Sequence, residues 1–264
     1  MLKVYVRSLR AGEPGVNGEG GDKSRLVRDI FTSIAGRYDF MNTVMTGGLD
    51  RYWRRRAVQA ARIRPGDRVA DICCGTGQLA LAARAATGRG GEVVGLDFSP
   101  AMLDVAAENI REAGRRAESI SNIRLLCGDA RELPFAAAEF DAVLIGWGLR
   151  NVQERERAVR EMRRIVKPGG RVVSLDMGHP RLPGLSALYW PLFARLVPFL
   201  GRRCAGEKAR EYYYLYESAR EFPPQWELAD MFRRCGLTHT GALDLAGGVV
   251  AVVYGEKSPL YPGE

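Results

Sequence analysis

The segment VADICCGTGQLA (69–80) is the feature that most restricts the fold of this chain. The apolar run RVADI leads into a loop in which Gly75, Gly77 and Ala80 occupy the positions of a G-x-G-x-x-G/A pattern, and the helical pattern QLALAARAA follows. A buried strand that turns through glycines into a helix is typical of the first unit of an open parallel α/β sheet. The glycine spacing alone does not distinguish a dinucleotide from another nucleoside ligand.

Strand and helix patterns alternate after this loop. The further strand patterns are EVVGLD (92–97), NIRLLCGDA (122–130), FDAVLIGWG (140–148) and GGRVVSLDM (169–177). Helical patterns lie between them, so we predict a doubly wound, mostly parallel sheet. Two more strand patterns, LTHTGALDL and GGVVAVVYGEK, predict an antiparallel terminal hairpin with its turn at 246–248, which makes a sheet of seven strands.

The chain is predicted to hold one large domain. Its 264 residues are 46% hydrophobic, which is enough to build a substantial core. Residues 1–23 are rich in glycine and charge and are expected to be a disordered leader, and residues 24–264 form the domain. Within the domain, 24–64 has the pattern of an N-terminal helical lid, and 182–222 that of a helical insertion before the last strands. No signal peptide or membrane span is recognisable, so we expect a protein that is cytoplasmic or peripheral at the inner face of the membrane.

Charge and cysteine content limit the classes of partner and site. The net charge is +8, and residues 1–64 contain 13 Lys+Arg against 6 Asp+Glu. Such a basic segment faces an anionic lipid surface, binds nucleic acid, or is a solvated helical face. The five cysteines have no C-x-x-C spacing, so we expect reduced thiols and no metal site.

Acidic side chains follow three of the predicted parallel strands. Asp71 closes the first, Asp97 the second, and Asp129 the third. The carboxyl ends of parallel strands form the ligand-binding edge of such sheets, so these carboxylates should meet in one crevice. A pyrophosphate would be repelled there, whereas a cationic, phosphate-free nucleoside would be attracted.

S-adenosylmethionine has these properties, so we predict it as the cofactor and a class I S-adenosylmethionine-dependent methyltransferase fold. Asp71 would offset its positive charge, Asp97 would accept its ribose hydroxyls, and Asp129 would accept from its adenine amine. The loop of Gly75, Thr76 and Gly77 would let the backbone approach its amino-acid portion.

Several stretches resemble the C-methyltransferases of ubiquinone and menaquinone biosynthesis, in particular the demethylmenaquinone methyltransferase group. The most specific of these are RYDFMN, GLRNV and GGVVAV; the others include DICCGTGQL, LDFSPAML, GDARELPF, RIVKPGGRVV and AREYYYLYESAREFP. The resemblance covers roughly residues 25 to 257. It implies methylation of an aromatic ring carbon of a polyprenyl quinol. Demethylmenaquinol is the favoured acceptor, and a methoxy-benzoquinol of ubiquinone biosynthesis, RNA or another small molecule are the alternatives.

The resemblance also implies cofactor contacts. They fall on Thr76, Asp97, Asp129 with Ala130, and Gly146. The sequence departs from the family at two positions: Gly146 stands where the family usually has serine, and Trp147 where it usually has phenylalanine. The first change removes a hydroxyl contact, and the second places an indole on the acceptor side.

Residue roles in the methyl transfer follow from the same resemblance. Arg150 would stabilise a phenolate, and Tyr38, Asp39 and Asn42 would lie on the lid. Either Asp39 or Asp176 would act as the base, directly or through water. The remaining substrate contacts are expected at Trp147, at Asn151, which would also fix its loop, and at Tyr214.

The implied partner is a lipophilic polyprenyl quinol. Residues 185–200 are apolar but interrupted by prolines and an arginine, so they either skim a membrane or complete the core. No nucleic-acid partner is expected, because the adenine-gripping N-P-P-Y or D-P-P-Y motif is missing. The sequence allows a homodimer without requiring one.

Overall fold

An eight-stranded mixed sheet forms the centre of the protein. The computed structural model describes residues 6–8, 22–116, 122–181, 184, 189–195, 214 and 217–259. The strands are β1 (Val6–Ser8), β2 (Arg68–Ile72), β3 (Glu92–Asp97), β4 (Ile123–Cys127), β5 (Phe140–Gly146), β6 (Val166–Met177), β7 (Thr238–Leu245) and β8 (Val250–Glu256). The helices used below are α1 (Asp22–Ile34), α2 (Tyr38–Thr46), α3 (Asp50–Ala60), α4 (Gln78–Thr87), α5 (Pro100–Arg116), α6 (Arg155–Ile165) and α7 (Gln225–Arg234).

The strand order is β1-β4-β3-β2-β5-β6-β8-β7. All pairs from β1 to β6 are parallel, whereas β8 runs antiparallel to both β6 and β7. A 3-10 turn at Ala246–Gly248 joins the last two strands. The predicted fold class and terminal hairpin are therefore confirmed, and the order of strands reverses between β2 and β5, which is where open sheets of this kind bind ligands.

Apolar layers cover both faces of the sheet because successive strand residues point to opposite sides. Ala70 and Ile72 pack with α6 and α7 on one face. Val69 packs with α3, α4 and α5 on the other. The sheet is thus buried on both faces, as the continuous apolar patterns of its parallel strands predict.

The N-terminal helices pack on the carboxyl edge of the sheet. On α1, Val27, Ile30, Phe31 and Ile34 are buried and form a cluster with Met102 of α5. Helical patterning continues across residues 23–42 of the sequence, but a 3-10 turn at Ala35–Arg37 separates α1 from α2. Gly36 lies in this break, which agrees with the low helix propensity of glycine.

The predicted leader and the predicted helical insertion are each described only in part. Val6–Ser8, inside the expected disordered leader, instead pair in parallel with Leu125–Cys127. The leader prediction is therefore wrong at these residues, because the backbone of β4 offers unpaired groups to any extended neighbour. Within the expected insertion, 189–195 are helical. Most of 182–216 and the rest of the leader lie outside the described residues. Among the described helices, none has both the length and the apolar character needed to cross a bilayer.

Candidate active site

A cavity of about 290 Å³ opens at the carboxyl ends of β2 to β5. Many of the predicted site residues line it: Tyr38, Asp71, Gly75, Thr76, Asp97, Asp129, Ala130, Gly146, Trp147 and Asn151. The N-terminal helices supply further wall residues, among them Phe31 and Arg54. The cavity is thus enclosed by the sheet edge on one side and by the lid segment on the other.

Asp71 is a buried carboxylate without a partner. It is 0% exposed, and neither of its oxygens has a hydrogen-bond partner in the described part of the chain. Burial raises its pKa to about 8, and the nearby charge of Asp97 adds to this rise, whereas the Ala80 backbone N–H and the charge of Arg54 oppose it without cancelling it. An orphaned carboxyl group on a cavity wall favours a cationic ligand, because such a ligand would compensate the cost of burying the charge.

The glycine loop brings its backbone against Asp97. The Gly75 N–H donates to Oδ2 of Asp97 over 2.8 Å, and the Ser99 N–H donates to Oδ1 over 2.9 Å. Burial raises the pKa of Asp97 to about 6, although these backbone donors partly oppose the rise. A carboxylate has about four acceptor positions, so Asp97 retains capacity for further donors such as ribose hydroxyls.

Gly77 allows α4 to begin directly under the cavity. Its φ of +80° lies in the left-handed region, and a Cβ there would be 3.2 Å from the Cβ of Ala106. Both facts favour glycine at this position. Glycine here therefore lets α4 begin directly after the loop and pack closely on α5.

Asp129 is already engaged by an arginine. The Arg131 guanidinium donates to both oxygens of Asp129 through Nε and Nη2, and the Arg131 N–H donates to Oδ1. Burial acts to raise the pKa of Asp129, but these bonds outweigh it and the pKa is lowered. The expected contact with an adenine amine must therefore share this carboxylate with Arg131.

Asp39 joins the lid to the glycine loop. Its carboxylate accepts hydrogen bonds from Thr76 Oγ1 at 2.6 Å, Gln78 Nε2 at 2.9 Å and Asn109 Nδ2 at 3.0 Å. Three donors from α4, α5 and the loop leave this group little freedom to take a proton from a substrate. The geometry favours an anchoring role over the predicted role of base, and Thr76 turns its hydroxyl toward Asp39.

Arg150 and Asp176 form a buried ion pair. Their side chains are 7% and 2% exposed, and Arg150 Nη1 lies 2.8 Å from Asp176 Oδ1. Asp176 also accepts from the backbone N–H groups of Arg150 and Met177. Burial acts against the charge of Arg150, but Asp176 outweighs it and the pKa of the guanidinium is raised. Asp176 is thus the counter-ion of Arg150, which disfavours the predicted role of free base.

Tyr38 lies within the electrostatic reach of this pair. Its ring packs edge-on against Phe31, with 5.8 Å between the ring centres. Burial raises the pKa of Tyr38, while Arg150 and a side-chain hydrogen bond with Asn42 lower it in part. The phenol therefore stays protonated at neutral pH and is available as a hydrogen-bond donor.

The loop after β5 is fixed by Asn151. Its Nδ2 donates to the backbone oxygen of Trp147 at 3.2 Å, and its Oδ1 accepts from the Tyr214 hydroxyl at 3.1 Å. Trp147 has a φ of +58°, which is uncommon for a bulky side chain, and its indole lies 6.1 Å from that of Trp53. The predicted loop-fixing bond of Asn151 is present, and Tyr214 reaches the site through Asn151.

The site of the missing family serine is filled by a leucine. A Cβ built on Gly146 would lie 2.8 Å from Cδ2 of Leu79. Leu79 is 5% exposed and also lines the cavity. The departure at Gly146 therefore coincides with an apolar side chain where a hydroxyl would otherwise stand.

Comparison with known proteins identifies the group to which this site belongs. The profile of the ubiE/COQ5 methyltransferase family matches residues 19–257. The chain belongs to the ubiE/COQ5 methyltransferase family. It is therefore an S-adenosylmethionine-dependent methyltransferase, as its sequence resemblance implied.

Relatives of similar sequence agree with this assignment. This methyltransferase is 53% identical over 238 residues to the demethylmenaquinone methyltransferase of Desulfitobacterium hafniense, covering 90% of this chain and 92% of the relative. It is 39% identical over 235 residues to the demethylmenaquinone methyltransferase of Bacillus subtilis, covering 89% and 98%.

The fold is shared with more distant methyltransferase structures. One from Methanococcus maripaludis, described as a putative S-adenosyl-L-methionine-dependent methyltransferase, has a TM-score of 0.60 and 17% identity, covering 88% of this chain and 95% of that one. A second, from Aquifex aeolicus, has a TM-score of 0.55 and 15% identity, covering 76% and 88%. At these identities the likeness concerns the fold alone.

The described residues of the methyltransferase fit S-adenosylmethionine. Asp71 supplies a buried carboxyl group that a cation would ionise, and Asp97 supplies acceptor capacity for hydroxyl groups. The loop at Gly75 and Gly77 brings bare backbone to the same wall. These three features would hold the ammonium or sulfonium, the ribose and the amino-acid portion, respectively.

Sequence reasoning did not indicate several residues in and around the methyltransferase site. Arg54 lines the cavity and pairs with Asp50, and their i, i+4 spacing on α3 is a signal in the sequence that could have indicated the pair. Gln78 and Asn109 hold Asp39, but Asn109 lies 70 positions away, so no local pattern indicated it. The Tyr189 hydroxyl is buried without a hydrogen-bond partner among the described residues.

Proposed function

We propose that this methyltransferase methylates a ring carbon of a polyprenyl quinol, with demethylmenaquinol as the acceptor. The observation that carries the proposal is the buried Arg150–Asp176 pair, whose charges act on Tyr38, a residue of the same cavity wall as Asp71. The site thus combines an anionic wall for a sulfonium cofactor with a cation suited to a phenolate. The names of the relatives from Desulfitobacterium hafniense and Bacillus subtilis support demethylmenaquinol.

Arg150 is the group that we assign to activation of the acceptor. When bound, S-adenosylmethionine supplies an electrophilic methyl group. A ring carbon becomes a sufficient nucleophile when the adjacent hydroxyl ionises, and a fixed cation in a desolvated site lowers the pKa of that hydroxyl. Arg150 has a buried Nε without a hydrogen-bond partner among the described residues, so it retains a donor for the phenolate oxygen.

The neighbouring side chains have supporting roles. Tyr38 keeps its proton and can donate a second hydrogen bond to the acceptor oxygen. Asp176 orients Arg150, and Asn151 orients the loop that carries Trp147 and accepts a hydrogen bond from Tyr214. In this proposal water takes the hydroxyl proton, because donors already surround the carboxylates of Asp39 and Asp176. After the methyl group has moved from sulfur to the ring carbon, that carbon loses its hydrogen to water as a proton, which restores the aromatic ring, and S-adenosylhomocysteine leaves.

The acceptor is tested by offering two quinols to the purified protein. Methyl-labelled S-adenosylmethionine is supplied with demethylmenaquinol or with a polyprenyl-methoxy-benzoquinol, and the label in the lipid extract is measured. We expect label mainly in the demethylmenaquinol sample. A preference for the benzoquinol would place the protein in ubiquinone biosynthesis, and label in neither would refute the proposal.

A further inference from the structure

Two consecutive helices of the lid leave large apolar side chains in solvent. Phe40 and Val44 of α2 are 64% and 40% exposed, and Leu49 and Tyr52, at and just after the following turn, are 49% and 48% exposed. Only two other described large apolar side chains, Leu192 and Trp226, are similarly exposed. Apolar side chains concentrated in this way mark a surface that contacts a partner.

The charge on the same helices is sorted by side. Both acidic residues of 38–60 point inward: Asp39 into its bonds with the glycine loop, and Asp50 into its pair with Arg54. Arg51 and Arg55 are exposed and form no ion pair within the described part of the chain. The outer side of α2 and α3 therefore combines apolar side chains with uncompensated positive charge.

We propose that this outer side docks on an anionic lipid bilayer. The docking face consists of Phe40, Val44, Leu49, Arg51, Tyr52 and Arg55. Apolar side chains that enter the acyl boundary and arginines that meet anionic headgroups are the two contributions by which helices bind membrane surfaces. A protein partner or a second copy of the chain would match the apolar part, but the unpaired arginines would then face unfavourable desolvation.

The inner side of the same helices forms part of the active site. Tyr38 and Arg54 line the cavity, whereas Phe40 and Arg55 point to solvent. Docking would thus place the bilayer beside the cavity wall. This consequence rests on the proposed function, since it matters only if the acceptor is a lipid, but the docking itself does not.

Vesicle binding of the full chain tests the docking face. Sedimentation is measured with phosphatidylcholine vesicles and with mixed phosphatidylcholine–phosphatidylglycerol vesicles, at low and high sodium chloride. We expect binding to the mixed vesicles that weakens with salt. The double variants Phe40→Ser/Leu49→Ser and Arg51→Glu/Arg55→Glu should each weaken it by roughly ten-fold or more.

Matched controls separate the face from general effects. Trp226→Ser removes an exposed aromatic side chain from α7, and Arg64→Glu/Arg89→Glu makes the same charge change at two exposed arginines that have no ion pair within the described residues. Both controls should bind as the unmodified protein does. All variants should keep its thermal stability and its activity on a short-chain, water-soluble quinol, so that a loss there would concern the proposed function instead.

Three results would overturn the docking proposal. The first is no binding to the mixed vesicles under any salt condition. The second is equal binding by the face variants and the unmodified protein. The third is a dimer in solution that Phe40→Ser/Leu49→Ser dissociates, because a second copy of the chain would then cover this face.

Discussion

Asp71 shows how a single residue can be placed correctly by sequence and yet carry a property that sequence does not reveal. Its position after the first parallel strand predicted a carboxylate at the cavity. Its lack of any described hydrogen-bond partner depends on which backbone groups surround it in space. The same holds for Asp129. Arg131 lies only two positions away in the sequence, but the hydrogen bonds that it donates to Asp129 were not predicted. Position follows from the strand pattern, whereas the partner of a side chain follows from packing.

At Asp71 the raised pKa predicts a pH-dependent stability. The folded pKa of about 8 exceeds the unfolded value of 3.8, so the folded state binds the extra proton and stability falls as pH rises between these values. Asp97 contributes little to the pH dependence of stability above pH 6, because its pKa is about 6 and it is then mostly ionised. Between pH 6 and 8, the free energy of unfolding of the unmodified protein should fall by up to about 1.4 kcal/mol per pH unit. Asp71→Asn should abolish this fall.

Urea unfolding at pH 6, 7 and 8 measures this effect. The variant should be less pH-dependent than the unmodified protein and should bind S-adenosylmethionine at least roughly ten-fold more weakly, because it lacks the negative charge. Parallel stability curves for the two proteins would mean that Asp71 is ionised and compensated in the fold.

Substitutions of Arg150 and Asp97 should affect different steps, catalysis and cofactor binding respectively. Arg150→Lys keeps a positive charge opposite Asp176 but loses the free Nε, so kcat should fall by roughly 100-fold with the cofactor Kd nearly unchanged. Asp97→Asn should instead weaken cofactor binding, because it loses one acceptor oxygen. Calorimetry and steady-state kinetics measure the two effects, and equal loss of cofactor affinity in both variants would show that Arg150 is misassigned.

Two glycines near the cavity should differ in their tolerance of a methyl group. At Gly148 a Cβ would lie 2.5 Å from Cβ of Cys73, close to the backbone, whereas at Gly146 it would meet only the tip of Leu79 at 2.8 Å. Overpacking costs about 1 to 3 kcal/mol, so Gly148→Ala should be near the upper value and Gly146→Ala near the lower. Urea denaturation compares them, and equal losses would contradict the close approach at Gly148.

At the scale of elements, strand and helix patterns predicted most of the sheet. The five strand patterns from 68 to 177 and the terminal hairpin are present because alternating or continuous apolar runs determine which residues can be buried. The three-residue β1 was not predicted, since its pairing depends on the edge of β4 and not on its own composition. The break between α1 and α2 was missed for a related reason, because the apolar periodicity continues across it.

Because Asp39 attaches α2 to the rest of the domain, Asp39→Ala should both loosen α2 and weaken cofactor binding. This change removes the acceptor of three hydrogen bonds that join α2 to the glycine loop and α5. Hydrogen exchange in 38–46 should become faster, and cofactor affinity should fall although Asp39 need not touch the cofactor. Asp104→Ala, at an exposed position of α5, serves as the carboxylate control. Faster exchange without loss of affinity would confine Asp39 to a structural role.

At the scale of the whole molecule, sheet order explains why distant residues meet. The carboxyl ends of β2, β3, β4 and β5 are neighbours, so Asp71, Asp97, Asp129 and Gly146 lie around one cavity although 75 positions separate the first from the last. Sequence could predict this convergence once the alternation was recognised. The lid contacts from Asp39 and Arg54 could not be predicted, because they depend on how α2 and α3 pack over the edge.

Convergence of these acids also predicts that cofactor binding, stability and pH are linked. A bound cation favours the ionised form of Asp71, so binding at pH 7 should release a proton and S-adenosylmethionine should bind more tightly as pH rises from 6 toward 8. Above that range the cofactor's own amino group loses its proton, which ends the increase. At a cofactor concentration of about 100 times Kd the stability gain is about 2.7 kcal/mol, which corresponds to roughly 5 to 10 °C in Tm.

Calorimetry in phosphate and in Tris buffer measures the proton release, because the two buffers differ in ionisation enthalpy. The unmodified protein should give different binding enthalpies in the two buffers at pH 7, and Asp71→Asn should give nearly equal ones. Asp97 contributes little at this pH, since its pKa of about 6 leaves it mostly ionised before binding. A binding enthalpy that is independent of buffer in the unmodified protein would mean that the sulfonium cofactor is not held by a carboxyl group whose charge forms on binding.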